Sequence, residues 1–428
     1  MSVLVRPGVS IRGALEVPGD KSISHRALLL GAIADGETAA KGFGSSADTL
    51  ATAAALRQLG VGIEVEGHRV NVDGVGLRGL AQPDDAIDCA NAGTLMRLLA
   101  GILAGQEGRF VLTGDESLSR RPLERIAEPL RQMGARIETT DGHAPLTIEG
   151  GRLEPIRYEL PVASAQVKSC VLLAGLYASA GPTVVVESVP TRDHTERLLE
   201  AAGARIRGGP AKSVWPADRL EPLTIEIPGD FSSAAPFLVA ATLLPDSQLI
   251  VRGVGVNPTR TGFLSVLERM GARIAVFNRR LQGGEPVADL EVEHAELDAT
   301  EVRPEEVPLL VDELPLFALV AGMAHGVSVV RGAEELRVKE SDRLESVRAA
   351  LRPLGIRIET MQAGLRVRGI PSRPRGGGVI DARGDHRIAM LGAVAGLVSR
   401  EGAEVEGAES VAVSFPDFFE ILDSLAVR

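Results

Sequence analysis

Cysteine is almost missing: the 428 residues hold two, Cys89 and Cys170, and neither has a partner at Cys-x-x-Cys spacing. A disulfide framework and a thiolate metal site are thereby excluded. Aromatic residues make up 3% of the chain, with one Trp, too few for a stacking surface. Positive charge is in deficit, with 46 Lys and Arg against 57 Asp and Glu and a formal net charge of −11. The phosphate backbone and anionic headgroups would repel such a chain, so neither nucleic acid nor a membrane surface is an expected partner. Local basic clusters could still hold small anions. Long apolar runs are also missing. The longest, around Ala234–Leu244, fall short of the roughly 18 residues a spanning helix needs. The opening MSVLVRPG has no apolar h-region and is broken by Pro7, so no signal peptide and a cytoplasmic protein are expected.

Several familiar motifs fail. Gly74–Gly79 matches GxGxxG, but Pro83 and an acidic turn follow instead of a helix, which argues against a dinucleotide site. GDKS at 19–22 lacks the Gly-Lys of a phosphate-cradling P-loop, and no HExxH occurs. No Ser-His nucleophile arrangement stands out. Neither a metal nor a cofactor is expected.

What is present is ordinary globular composition, 45% hydrophobic and 24% charged, at a length that suggests two or three domains. The chain also repeats itself. A polar, cap-like start followed by an apolar helical run and a Gly occurs six times, beginning near Asp20, Asn91, Ser164, Asp230, Asp312 and Asp385. The spacings are 71, 73, 66, 82 and 73 residues. A second signature, an amphipathic helix ending in Gly before a strand, recurs at Gly60, Gly134, Gly203, Gly271 and Gly355. Gly at that place is a helix C′ residue in the left-handed region. Each repeat therefore carries two helices with strands between them, an α/β unit. EVPGDKS at 16–22 resembles EIPGDFS at 226–232, half a chain away. These Pro-Gly sites are read as chain crossings with hinge character, near 18–21 and 228–230. They divide the chain into a lobe of 1–18 plus 229–428 and a lobe of 19–228, with three repeats each.

Helix N-termini present free N–H groups and attract anions. Most of the six starts are explained as ordinary caps. The first is less easily explained, because Lys21 and Arg26 put cations where the dipole disfavours them, with Arg26 on the face of Ser22. Asn91, Gly93 and Thr94 offer an amide, bare backbone and a hydroxyl; Ser164 and Gln166 offer a hydroxyl and an amide. Arg337–Arg343 (RVKESDR) is the densest charged cluster. Its Lys339 and Arg343 would share a helical face, and a solvated, salt-bridged helix is the alternative. Arg121 precedes a Pro expected to open a helix, and Arg387 follows Gly384 at another helix start. Asp312 and Glu340 are carboxylates near such starts; for Asp312 a dipole role would also suffice. Arginine suits bidentate binding of phosphate and carboxylate. The set points to acid–base chemistry on small, multiply charged anions in a cleft between lobes.

GDKSISHRALLL, NAGTLMRLL, LTGDESLSRRP, SAQVKS, RVKESDRL, GDHRIAM and SFPDFF, in this order, closely resemble the segments of the 5-enolpyruvylshikimate-3-phosphate (EPSP) synthase family over essentially the whole chain. The resemblance implies an α/β fold of two lobes, the enolpyruvyl transferase fold, with six βαβαββ-type repeats, three per lobe, as an inside-out α/β barrel. It implies transfer of the enolpyruvyl group of phosphoenolpyruvate to the 5-hydroxyl of shikimate 3-phosphate, releasing phosphate, on the shikimate pathway to aromatic amino acids. It also implies a monomer.

Carried over by motif, Lys21, Ser22, Arg26, Ser164, Ala165, Gln166, Asp312 and Lys339 would bind shikimate 3-phosphate. Lys21, Gly93, Arg121, Gln166, Arg343 and Arg387 would bind phosphoenolpyruvate. Asp312 resembles the acceptor of the 5-hydroxyl proton and Glu340 the acid that protonates the methylene carbon, with Lys21 alongside them as a catalytic residue. In the family, larger residues at the place of Gly93 affect glyphosate binding. One departure is Val413, before SFP, where some members carry a Lys that contacts phosphoenolpyruvate.

Two relatives in fold are disfavoured. The UDP-N-acetylglucosamine enolpyruvyl transferases carry Lys-Asn in place of Lys21-Ser22 and a loop cysteine that the stretch 112–122 lacks. RNA 3′-phosphate cyclases do not suit the acidic charge and the missing nucleotide motifs. A binding protein without turnover would be expected to have lost Asp312 or Glu340, and both are present.

Overall fold

Each of the six apolar runs folds as a helix, and each helix is almost wholly buried. They span Lys21–Ala32, Gly93–Leu103, Ala165–Gly175, Phe231–Leu243, Leu314–Met323 and His386–Val398. Helices apolar all round belong inside a protein, and their Ala and Gly content lets backbones approach closely. A Cβ on Gly101 would lie 2.2 Å from the Cys170 carbonyl oxygen, so the Gly93 and Ala165 helices could not cross as they do with any larger residue there.

Four of the six starts are caps. Asp20 Oδ1 accepts from the Ile23 N–H at 3.0 Å, Ser164 from Val167, Asp230 from Ser232 and Asp385 from Arg387. Asn91 and Asp312 are not caps. Their helices begin after Ala92 and Glu313, which leaves both side chains available for partners elsewhere. The Arg343 helix (Arg343–Leu351) is preceded by a 3-10 turn, Glu334–Val338. Lys339 follows that turn with an extended backbone, outside any helix, and does not share a helical face with Arg343. Pro122 also precedes its helix, Glu124–Gln132, without opening it.

The computed structural model describes the whole chain, Met1–Arg428, as two compact units. One is Met1–Pro18, Pro228–Leu281 and Pro286–Arg428; the other is Gly19–Ile227 with Gln282–Glu285. Each has its own hydrophobic core built on its three central helices.

The repeat is plainest at 87–150. Strand Ile87–Asp88, the Gly93 helix, strand Gly108–Thr113, the Glu124 helix and strands Arg136–Thr140 and His143–Gly150 follow one another. The first two strands pair in parallel, and the second pairs antiparallel with the last. The Gly134 turn between helix and strand has φ +102°, the left-handed geometry expected of a C′ glycine. The same order recurs in four other sheets; the sixth has three strands, Gly378–Asp381 parallel to Ala403–Glu406, which pairs antiparallel with Ser2–Val5, and no sheet closes on itself. Two opening strands come from far along the chain. Thr224–Glu226 supplies that of the Lys21 repeat, beside Asp35–Lys41. Ser10–Glu16 supplies that of the Phe231 repeat, beside Gln248–Gly255.

Candidate active site

In the unit built on Gly19–Ile227, the helix starts gather a connected set of basic and amide groups. Lys21 Nζ donates to Asp48 Oδ2 at 2.8 Å. One turn on, Arg26 Nη1 donates to the Ser22 carbonyl at 2.8 Å. Its Nη2 reaches Ser169 Oγ at 2.9 Å, on the helix that Ser164 caps and Ala165 and Gln166 open. Gln166 Oε1 accepts from Arg97 Nη1 at 2.9 Å, and its Nε2 donates to Thr94 Oγ1 at 2.9 Å. A Cβ on Gly93 would meet Arg97 Nη1 at 2.7 Å and Arg121 Nη1 at 3.1 Å. Bare backbone is therefore what lets two guanidiniums crowd this helix start. Arg121 Nη2 donates to Asn91 Oδ1 at 2.6 Å. The residues expected from this half thus fall in two contact sets, Arg26 with Ser22 and Ser169, and Gln166 with Arg97, Gly93 and Arg121, while Lys21 pairs with Asp48. Asp48 was missed, because only the fold brings it beside Lys21; Asn91 and Arg97 lie in a quoted segment, but only the fold pairs them with Arg121 and Gln166.

The His25 imidazole is buried between two of these cations, and its Nδ1 lies 2.7 Å from Thr52 Oγ1. Burial, with Lys21 and Arg26 adding, holds its pKa well below the usual histidine value. It is neutral at pH 7. Burial likewise lowers Arg26 to about 10, with Arg192 adding and Glu196, Asp20 and Glu285 opposing.

The other unit centres on Arg343, 1% exposed. Its Nε donates to Asp385 Oδ2 at 2.8 Å and its Nη2 to Asp385 Oδ1 at 3.2 Å. Its outer nitrogens reach Glu340 Oε2 at 2.6 Å and Asp312 Oδ1 at 3.2 Å. Burial works against the Arg343 charge, but Asp385, Glu340 and Asp312 outweigh it and raise its pKa. Lys339 shares two of these carboxylates, Asp312 and Glu340, as charged neighbours. Burial lowers its pKa and Arg343 adds, while Asp312, Glu335 and Glu340 oppose. Arg387 Nη1 donates to the Ser232 carbonyl at 3.2 Å. Behind Asp312 lies a second buried arginine that no motif marks. Arg260 Nη1 stands 3.7 Å from Asp312 Oδ2 and 3.3 Å from Glu313 Oε1, and Asp230 takes its Nη2 at 3.0 Å.

Each unit therefore gathers several cations at its helix starts. The second also presents two carboxylates, Asp312 and Glu340, on opposite nitrogens of one guanidinium. Separate carboxyls held by the same charge suit a proton acceptor and a proton donor acting in one reaction. Val413 ends a 3-10 turn, Ala408–Val413, and brings no cation to it. Asp193, His194 and Glu285 form a trio of metal-type ligands. However, Arg197 Nε already stands 2.9 Å from Asp193 Oδ1 and 3.9 Å from Glu285 Oε2, so a guanidinium supplies that cluster's positive charge.

Comparison with known proteins gives the family of the chain. Residues 5–422 match the family model described as EPSP synthase (3-phosphoshikimate 1-carboxyvinyltransferase). The chain is 51% identical over 418 residues to the 3-phosphoshikimate 1-carboxyvinyltransferase of Acidithiobacillus ferrooxidans, covering 97% of this chain and 95% of that one. It is 48% identical over 427 residues to that of Citrifermentans bemidjiense, covering 99% of both. The EPSP synthase structure from Acinetobacter baumannii superposes with TM-score 0.87 at 43% identity, covering 100% of this chain and 98% of that one. The enolpyruvyl transferase NikO from Streptomyces tendae, 19% identical with TM-score 0.79 over 99% and 97% of the chains, shares the fold.

Proposed function

The chain belongs to the EPSP synthase (3-phosphoshikimate 1-carboxyvinyltransferase) family and is an enzyme of that class; we propose that it transfers the enolpyruvyl group of phosphoenolpyruvate to the 5-hydroxyl of shikimate 3-phosphate and releases phosphate. The observation that carries this reading is Arg343 held between Glu340 and Asp312.

Lys21, Ser22, Arg26, Ser164, Ala165, Gln166 and Lys339 are the shikimate 3-phosphate ligands, with Asp312 at its 5-hydroxyl. Lys21, Gly93, Arg121, Gln166, Arg343 and Arg387 receive phosphoenolpyruvate. Glu340 then protonates the methylene carbon of phosphoenolpyruvate. The cationic C2 is attacked by the 5-hydroxyl oxygen as Asp312 accepts the hydroxyl proton. The tetrahedral adduct expels phosphate, which takes up the proton held by Asp312 and whose negative charge the arginines stabilise. Glu340 removes a methyl proton and restores the enol ether. No metal or cofactor enters these steps.

No helix is long and apolar enough to cross a membrane. A cytoplasmic monomer is part of the proposal, and size-exclusion chromatography with light scattering tests the oligomeric state.

The deciding measurement is phosphate release from phosphoenolpyruvate with EDTA present, with shikimate 3-phosphate or UDP-N-acetylglucosamine as acceptor. Release that depends on shikimate 3-phosphate is expected. Release only with the nucleotide sugar would reassign the acceptor. Ligand binding without release from either would make the chain a binding protein.

A further inference from the structure

Arg26 is 3% exposed, yet no carboxylate takes a hydrogen bond from it. Its Nε donates to Thr195 Oγ1 at 2.6 Å, its Nη2 to Ser169 Oγ at 2.9 Å and its Nη1 to the Ser22 carbonyl at 2.8 Å. The two hydroxyl oxygens lie 2.7 Å apart and bond each other, which closes a ring with one edge of the guanidinium. All three acceptors are neutral. A guanidinium has five N–H donors, so two are left uncommitted.

Two buried arginines of the other unit are held differently, Arg343 by Asp385 and Arg260 by Asp230 and Glu313. A carboxylate does lie close to Arg26, since Glu196 follows Thr195 on the His194 helix. The fully buried Lys168 takes it instead, with Nζ 2.7 Å from Glu196 Oε1 and 3.2 Å from Glu187 Oε2. The neighbourhood thus orients Arg26 firmly while leaving its charge without a direct counterion.

We propose that Thr195 and Ser169 are positioning residues that form a neutral clamp, aiming Arg26 at an oxyanion of shikimate 3-phosphate without spending its charge. The inference rests on the reading of Arg26 as a ligand of that substrate. A carboxylate in the clamp would hold the guanidinium as well but would satisfy it, and attraction between buried opposite charges is strong. Hydroxyls fix direction through hydrogen bonds alone.

The test is a series at Thr195 (Ser, Val, Asn and Asp), with Arg26→Ala and Ser169→Ala alongside. Calorimetric affinity for shikimate 3-phosphate, KM for each substrate and thermal unfolding are measured for each. Thr195→Ser should match the parent. Thr195→Val should weaken shikimate 3-phosphate by about tenfold, the worth of one hydrogen bond to a charged group, and leave KM for phosphoenolpyruvate unchanged. Asn and Asp share a shape and differ in charge, so Thr195→Asp should bind at least about tenfold more weakly than Thr195→Asn. Should the valine variant fail to fold, Ser169→Ala and the Asn–Asp pair carry the same comparison. Equal affinity for the Asn and Asp variants, or parent-like affinity for folded Thr195→Val, overturns the clamp. Undiminished affinity in Arg26→Ala would instead remove Arg26 as a ligand.

Discussion

Asp385 serves two structures with one carboxylate. It grips buried Arg343 through both oxygens, at 2.8 and 3.2 Å, and its Oδ1 also accepts from the Arg387 N–H at 2.9 Å, capping the next helix. The guanidinium that holds Glu340 and Asp312 is thus tied to a helix start bearing another proposed phosphoenolpyruvate ligand. Asp385→Asn keeps a capping oxygen but removes the charge. Breaking a buried pair of this kind costs about 3–5 kcal/mol, so the melting temperature should fall. Arg343 should turn toward Glu340 and Asp312, and kcat should drop with it. Parent-like melting and turnover would contradict this.

Glu340→Gln should bind both substrates and turn over about 10²–10⁴-fold more slowly, the usual contribution of a general acid–base group. Equilibrium binding with single-turnover phosphate release separates the two effects. Unchanged turnover would remove Glu340 as the proton donor.

Gly93→Ala adds a Cβ against Arg97 Nη1 and Arg121 Nη1. Both are ends of flexible side chains, so the fold should persist while the guanidiniums shift. KM for phosphoenolpyruvate should rise several-fold or more, and that for shikimate 3-phosphate should change little. Equal rises in both would mean that the crowding is not local to one substrate.

Lys168→Met strands Glu187 and Glu196 in the interior. Lys212 still reaches Glu187 at 2.9 Å, but nothing comparable replaces the contact to Glu196. The expected loss is about 3–5 kcal/mol, read from urea unfolding. Adding Glu196→Gln should recover part of it, because the stranded charge is then gone. A double variant no more stable than Lys168→Met would refute the pairing.

His25 gives the protein an acid-sensitive core. Its folded pKa is depressed by burial, then by Lys21 and Arg26, while the unfolded chain has about 6.5. Above that value the ring is neutral in both states and stability is complete. Below it the unfolded state gains a proton that the folded state does not, and stability falls by up to about 1.4 kcal/mol per pH unit until the folded pKa is reached. Unfolding midpoints between about pH 7.5 and 5.5 should decline less steeply in His25→Gln. An identical slope would assign the acid sensitivity to other groups.

The amino-acid sequence alone determined the elements and the period. Apolar runs at helical length, acidic or hydroxyl caps and C′ glycines are local signals, and they placed the six buried helices and the turns after their partner helices. The resemblance of seven ordered segments marked Lys21, Arg26, Gln166, Glu340, Arg343 and Arg387, and the same family resemblance marked Asp312 outside them. Local signals misjudged Asn91 and Asp312 as caps and put Lys339 on the face of Arg343, because a cap-like residue and a real cap differ only in a backbone turn that packing selects.

Only the tertiary structure decided who partners whom. Glu313, Arg260, Asp48, Arg97 and Thr195 lie tens of residues from the groups they hold, and nothing local distinguishes them from other polar residues; Asp385 was legible as a helix start but not as the partner of Arg343. Their roles arise because a buried charge must find a partner, and the partner it finds is set by which helix starts the folded chain brings together.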